Sequence, residues 1–132
     1  LILEEEMTAV TDELVLTTDD GSRGIAGRVT WALEELLKKD PVDLVIAIGP
    51  AIMMKFASAV TRGYDVPTRV SLNSIMLDGT GMCGTCRCEV EGKTRFACVD
   101  GPEFDGHAVD WGLLLSRLDQ YKEEEEIARS LP

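Results

Sequence analysis

The sequence is poor in side-chain amides, in histidine, in positive charge and in long apolar runs, and each shortage narrows what the chain can do. Its amides are Asn73 and Gln120 alone, and a scarcity of these heat-labile residues beside abundant Glu favours thermal resistance. Its one histidine, His107, excludes a Rieske-type site, which takes two, and is read as structural. Lys and Arg number 13 against 24 Asp and Glu, a formal net charge of -11, which argues against nucleic-acid binding through phosphates and favours steering of a basic protein partner. The longest apolar stretch, residues 44–54, is broken by Gly49-Pro50 and is too short to span a bilayer. The opening LILEEEM lacks the basic start of a signal peptide, so a reducing, cytoplasmic compartment is expected. At 132 residues and 45% hydrophobic, the chain can bury one core, and no second large domain is expected.

All four cysteines lie within residues 83–98. Plant-type 2Fe-2S ferredoxins use C-x4-C-x2-C with a distant fourth cysteine. Cys83 and Cys86 fit the second and third places, Cys98 the fourth, and the first place falls on Asp78. The set reads Asp78-x4-Cys83-x2-Cys86-x11-Cys98: one carboxylate and three thiolates in the register of a 2Fe-2S loop, with Cys88 left over. Gly79, Gly81 and Gly84 would let the backbone approach and aim N–H groups at sulfur. A zinc site of Cys83, Cys86, Cys88 and Cys98 is an alternative, although zinc knuckles more often pair two well-separated C-x2-C units. A redox dithiol ranks lower, because that motif opens a helix whereas here it precedes a hairpin. Asp78 also suits a plain turn residue in an Asp-Gly step.

Along the chain, residues 1–3 read as the end of a buried strand and residues 4–10 as a short helix. Residues 13–18 form a β-branched-rich strand ending at Asp19-Asp20-Gly21, followed by a loop. Val29, Ala32, Leu33, Leu36 and Leu37 recur at helical spacing, and Asp40-Pro41 stops that helix. Residues 42–48 are continuously apolar apart from Asp43, as expected of a strand covered on both faces. A helix over residues 51–61 follows Gly49-Pro50, with Pro50 in its first turn, and residues 67–72 form a further strand. This βαβαβ order predicts an α/β fold: the second half of a doubly wound parallel sheet. Ligands of such sheets lie beyond the carboxyl ends of the strands, which places residues 17–21 and 49–53 at a nucleotide edge, with the helix after Pro50 offering backbone N–H groups. Asp19 and Asp20 would there repel a 2'-phosphate, favouring NAD over NADP. Residues 87–90 and 94–97 flank Glu91-Gly92-Lys93 as a small hairpin. An irregular acidic segment runs on to Trp111, and a terminal helix begins near Leu113 and ends in a solvated Glu run. Three segments result: residues 1–72, a nucleotide-binding half-lobe; residues 73–110, a cluster-binding extension; and residues 111–132, a C-terminal helix.

GPAIMMKF after a buried strand resembles the pyridine-nucleotide motif that closes the nucleotide lobe of the ferredoxin-NADP reductase superfamily. NSIMLDGTGMCGTCRCEVEGKTRFACVDGPEFDGHAVDW is more specific, and resembles the small subunit of NADH-dependent ferredoxin-NADP reductases, also called sulfide dehydrogenases. The electron-transfer subunit of dihydroorotate dehydrogenase, with four cysteine ligands, and the flavin subunit of cytoplasmic sulfhydrogenases are related. The resemblance covers essentially the whole chain and implies 2Fe-2S ligation by Asp78, Cys83, Cys86 and Cys98 and a nucleotide turn of Gly49, Pro50, Ala51 and Met53, with Asp20 near the ribose. It further implies FAD and NAD(P) as cofactors, and a larger flavin/iron-sulfur or hydrogenase subunit as partner, with ferredoxin as a further candidate. The flavin barrel and the glycine-rich first turn of the lobe would then lie upstream of Leu1. The chain would be a C-terminal piece, inactive alone, with a cut sheet edge through which it could self-associate. A zinc-stabilised interaction module and a nucleotide-binding regulatory domain without a cluster are the remaining alternatives.

Overall fold

Helices and strands alternate much as the apolar spacing predicts, in a computed structural model that describes residues 2–130. The chain divides into two compact units, one up to Pro41 and one from Val42. In the first, helix α1 spans Glu4–Val10 and helix α2 spans Val29–Lys39. Three glutamates in the first turn of α1 and two lysines in the last turn of α2 complement the helix dipoles. The strand expected over residues 13–18 is reduced to β1, Thr17–Thr18, which pairs in parallel with β2, Ile25–Ala26. Residues 25–26 lie in the stretch read as a loop, because Gly21, Gly24 and Gly27 around them mask a two-residue strand. The buried strand expected at the N-terminus is not formed by Ile2 and Leu3, which are 88% and 60% exposed; Leu1 is outside the described residues. Leu3 instead adopts a left-handed conformation as the residue capping α1, and its carbonyl accepts from the Met7 N–H.

The second unit holds the core. Strand β3, Val45–Ala47, lies parallel to β4, Thr68–Ser71, with helix α3, Ala51–Gly63, between them in the chain. Pro50 caps α3 rather than occupying its first turn. Ala51, Met54, Ala57, Ser58 and Thr61 are its buried positions, a stripe at helical spacing. Met54, Thr61 and Val70 have no exposed surface, and truncating a residue such as Met54 to Ala typically costs about 2–5 kcal/mol. The expected two-sided cover of β3 is not found: Ile46 and Ile48 are 61% and 71% exposed. The cause is an open sheet face: Ile46 on β3, Arg69 on β4 and Asp105 on β7 lie in register and are all exposed, whereas Ala47, Val70 and Phe104 on the other face are buried.

Strand β7, Glu103–Asp105, is antiparallel to β4 and makes the sheet mixed. It arises in the acidic segment read as irregular, where flanking Gly and Pro obscure three extended residues. Gly106 follows it with no side chain, because a Cβ there would run into Ser58 Oγ and Val70 Cγ1. His107 sits beside this sheet with its Nε2 3.0 Å from Thr61 Oγ1, while the Arg62 guanidinium donates to its carbonyl. Strands β5, Arg87–Val90, and β6, Lys93–Phe96, form the expected hairpin around Glu91 and Gly92. Both turn residues have positive φ, 55° and 69°, as the tightest hairpin turn requires. Helix α4, Ala97–Asp100, follows directly. The C-terminal helix comprises α5, Trp111–Leu118, a 3-10 turn over Asp119–Tyr121, and α6, Lys122–Ser130. Asp110 caps α5 by accepting from the Leu113 N–H at 2.8 Å, and Leu114, 1% exposed, anchors it.

Candidate metal centre

Between β4 and β5 the chain runs without regular secondary structure, and it carries three of the four predicted ligands. Glycine conformation makes this possible: Gly81 has φ 84° and lies where a Cβ would meet Val99 Cγ2 at 2.7 Å, and Gly84 turns with φ 66° immediately after Cys83. Asp78 Oδ1 accepts from the Thr80 N–H at 2.8 Å and Oδ2 from the Cys83 N–H at 2.8 Å. The first contact is that of a turn-forming Asp. The second ties the carboxylate to Cys83. These N–H groups, Thr80's foremost, hold the Asp78 carboxyl below the usual carboxylate range.

Cys83 is exposed, and its sulfur accepts from the Thr85 N–H at 3.5 Å. That bond is the main reason its thiol pKa is lowered. Cys86 is buried immediately before β5, and Cys98 is half-buried on α4. The hairpin brings these two together: the Ala97 N–H donates to the Cys86 carbonyl at 3.2 Å, and the Cys86 and Cys98 sulfurs are 3.2 Å apart. Sharing that hydrogen bond, with some burial, raises the Cys98 pKa. Cys88, 2% exposed, has its thiol directed at the Arg95 carbonyl across the hairpin at 3.7 Å, and burial pushes its pKa up.

The candidate ligands are therefore linked two by two, Asp78 to Cys83 through the Cys83 backbone N–H and Cys86 to Cys98 through their sulfurs. Among the described residues no group of three or more His, Cys, Asp or Glu side chains is gathered around a single point, as a mononuclear zinc site requires. A 2Fe-2S cluster makes a different demand, two protein donors on each of two irons, and both the pairing and the thiolate-rich chemistry suit it.

Sequence reasoning missed the groups that hold this loop. Arg87 Nη1 donates to the Gly84 carbonyl and Arg117 Nη2 to the Thr85 carbonyl, each at 3.1 Å. Arg117 is remote in sequence, and the available signal was a cation three residues after Leu114 on an otherwise apolar helix face.

The predicted nucleotide residues fall in different units. Asp20 is exposed in the turn after β1, where its Oδ1 accepts from the Ser22 N–H at 2.9 Å, the main cause of its lowered pKa. Gly49, Pro50, Ala51 and Met53 form the turn from β3 into α3, whose N-terminus has no side-chain cap. Ala51 is buried, and the Met53 methyl lies over Gly49.

Residues 73–110 match the iron-sulfur cluster binding domain of dihydroorotate dehydrogenase B. The chain is 53% identical over 128 residues to a Thermotoga maritima protein described as a dihydroorotate dehydrogenase B (NAD(+)) electron transfer subunit homolog, across 97% of this chain and 45% of that protein. It is 42% identical over 111 residues to a probable electron transfer subunit of the same enzyme from Methanocaldococcus jannaschii, across 84% of this chain and 41% of that one. The solved structure of an NADH-dependent reduced ferredoxin-NADP oxidoreductase, described in connection with flavin-based electron bifurcation, superposes with a TM-score of 0.83 at 52% identity, over 93% of this chain and 44% of that one. The chain thus spans less than half the length of these relatives. No helix among the described residues is long and apolar enough to cross a membrane.

Proposed function

Because residues 73–110 match the iron-sulfur cluster binding domain of dihydroorotate dehydrogenase B, we propose that the chain is part of an electron-transfer oxidoreductase subunit and that Asp78, Cys83, Cys86 and Cys98 hold a 2Fe-2S cluster. The observation that carries this reading is the pairing: the Asp78 carboxylate on the Cys83 N–H at 2.8 Å, and the Cys86 and Cys98 sulfurs 3.2 Å apart. When bound, the cluster supplies one-electron transfer between a flavin that accepts hydride and a protein partner. The chain's own groups set its surroundings. Cys83 presents its sulfur to the Thr85 N–H, and the glycines keep side chains from crowding the loop. Asp78 contributes a harder donor than thiolate.

In this reading residues 1–72 are half of a pyridine-nucleotide lobe, residues 73–110 the cluster extension and residues 111–132 the C-terminal segment, helical through most of its described part up to Ser130. NAD(P)H lies along Gly49, Pro50, Ala51 and Met53, and the carboxylate of Asp20, in the turn after β1, disfavours a 2'-phosphate. FAD is held mainly by parts of the full-length protein outside this chain, so this piece alone does not oxidise NAD(P)H. The partner is a larger flavin/iron-sulfur or hydrogenase-type subunit, with ferredoxin as a further acceptor, in the cytoplasm. The exposed Ile46 and Ile48 give the isolated piece an apolar edge for self-association. The zinc alternative needs Cys88 as a ligand, and the inward course of that thiol toward the Arg95 carbonyl favours the cluster.

Purification without oxygen, with iron, sulfide and zinc counted beside the visible spectrum, tests the proposal. About two irons and two sulfides per chain, with a brown colour bleached by dithionite, is the expected result. Zinc without colour overturns it.

A further inference from the structure

We propose that Arg117 is a positioning residue for the iron-sulfur centre, an inference that rests on reading residues 77–98 as the cluster loop. The basis is a pair of guanidinium contacts on consecutive carbonyls. Arg87 takes the Gly84 carbonyl and Arg117 the Thr85 carbonyl, both at 3.1 Å. The Gly84 carbonyl belongs to the same peptide group as the Thr85 N–H, which points at the Cys83 sulfur at 3.5 Å. The Thr85 carbonyl belongs to the next peptide group, which leads into Cys86. The two arginines therefore fix the backbone that joins the Asp78/Cys83 pair to the Cys86/Cys98 pair.

Arg87 makes its contact three residues from its own position and is exposed, whereas Arg117 reaches across 32 residues from α5 and is half-buried. That helix is fixed in turn by Leu114 and by the Asp110 cap. Ser74, Thr85, Leu114 and Arg117 border one small pocket, and there Arg117 donates to the loop through the Thr85 carbonyl.

Two consequences follow from simple electrostatics. A cation on a carbonyl polarises that peptide group and fixes its orientation: Arg87 acts on the peptide whose Thr85 N–H points at the Cys83 sulfur, and Arg117 on the next peptide, which carries Cys86. In a chain of net charge -11, a half-buried cation beside the loop also offsets the negative charge added on reduction. Loss of Arg117 should make the reduced centre harder to reach.

The test compares the wild type with Arg117→Met and Arg117→Lys in the cluster-loaded protein, reading iron and sulfide content, far-UV circular dichroism and midpoint potential. Arg117→Met should keep the fold and move the potential to more negative values, and Arg117→Lys should fall between it and the wild type. An unchanged potential in a fully loaded Arg117→Met protein overturns the inference and leaves the cluster assignment standing. A wild type without iron and sulfide overturns both. If Arg117→Met loads no cluster, metal-free thermal unfolding decides. A curve matching the metal-free wild type assigns the loss to the loop and supports positioning, whereas a collapsed fold makes Arg117 merely structural and overturns it.

Discussion

Replacing Cys88 by Ala separates the cluster account from a four-cysteine metal site. The thiol is 2% exposed and faces the Arg95 carbonyl within the hairpin, whereas the Cys86 and Cys98 sulfurs face each other. Deleting one buried sulfur removes about as much apolar material as a methylene, worth about 0.8 kcal/mol, and leaves a small cavity charged at about 24 cal/mol per Å³, so the total loss should be about 1–2 kcal/mol. Urea unfolding of the metal-free chain should show this as a lower midpoint with an unchanged slope. Iron and sulfide should stay at wild-type levels in Cys88→Ala and disappear in Cys86→Ala. A Cys88→Ala protein that keeps its circular dichroism but loses its metal would refute the reasoning.

Three further outcomes follow from the same geometry. Asp78→Cys should lower the cluster's midpoint potential, since a carboxylate donates less electron density to iron than a thiolate, and a redox titration giving an equal or higher value would contradict this. In the metal-free chain, alkylation followed by mass spectrometry should label Cys83 first, because it is exposed and its lowered pKa gives more thiolate at neutral pH; Cys88, buried with a raised pKa, should react last. Gly106→Ala should destabilise by about 1–3 kcal/mol in denaturant titration through the clash with Ser58 and Val70, and a neutral result would mean that β7 does not pack as described.

Residue spacing exposed the parts of the fold that depend on local rules. The apolar recurrence in α2, the Glu91-Gly92 turn of the hairpin and the α3 stripe all rest on periodicity or turn chemistry carried by neighbouring residues. Elements defined by tertiary pairing were not legible. Strand β7 lies in an acidic stretch with Gly and Pro on either side and exists because β4 offers it partners, and β2 is two residues between glycines. The exposure of Ile46 likewise reflects a sheet face left open across β3, β4 and β7, which an apolar run does not reveal. At the centre, the four proposed donor positions rest on spacing, since ligand intervals are written along the chain. Their arrangement in pairs could not, because Cys98 reaches Cys86 by way of the β5-β6 hairpin. The Arg117 contact was hidden for the same reason: a lone cation on a helix announces nothing until its acceptor carbonyl is placed beside it.

Iron-57 Mössbauer spectroscopy of the oxidised protein tests the central claim most directly, because it reports the donor set of each iron separately. If Asp78 and Cys83 serve one iron and Cys86 and Cys98 the other, the wild type should show two unlike iron sites, and Asp78→Cys should make them nearly alike. A single kind of iron in the wild type, unchanged by Asp78→Cys, would contradict the assignment of Asp78 as a ligand.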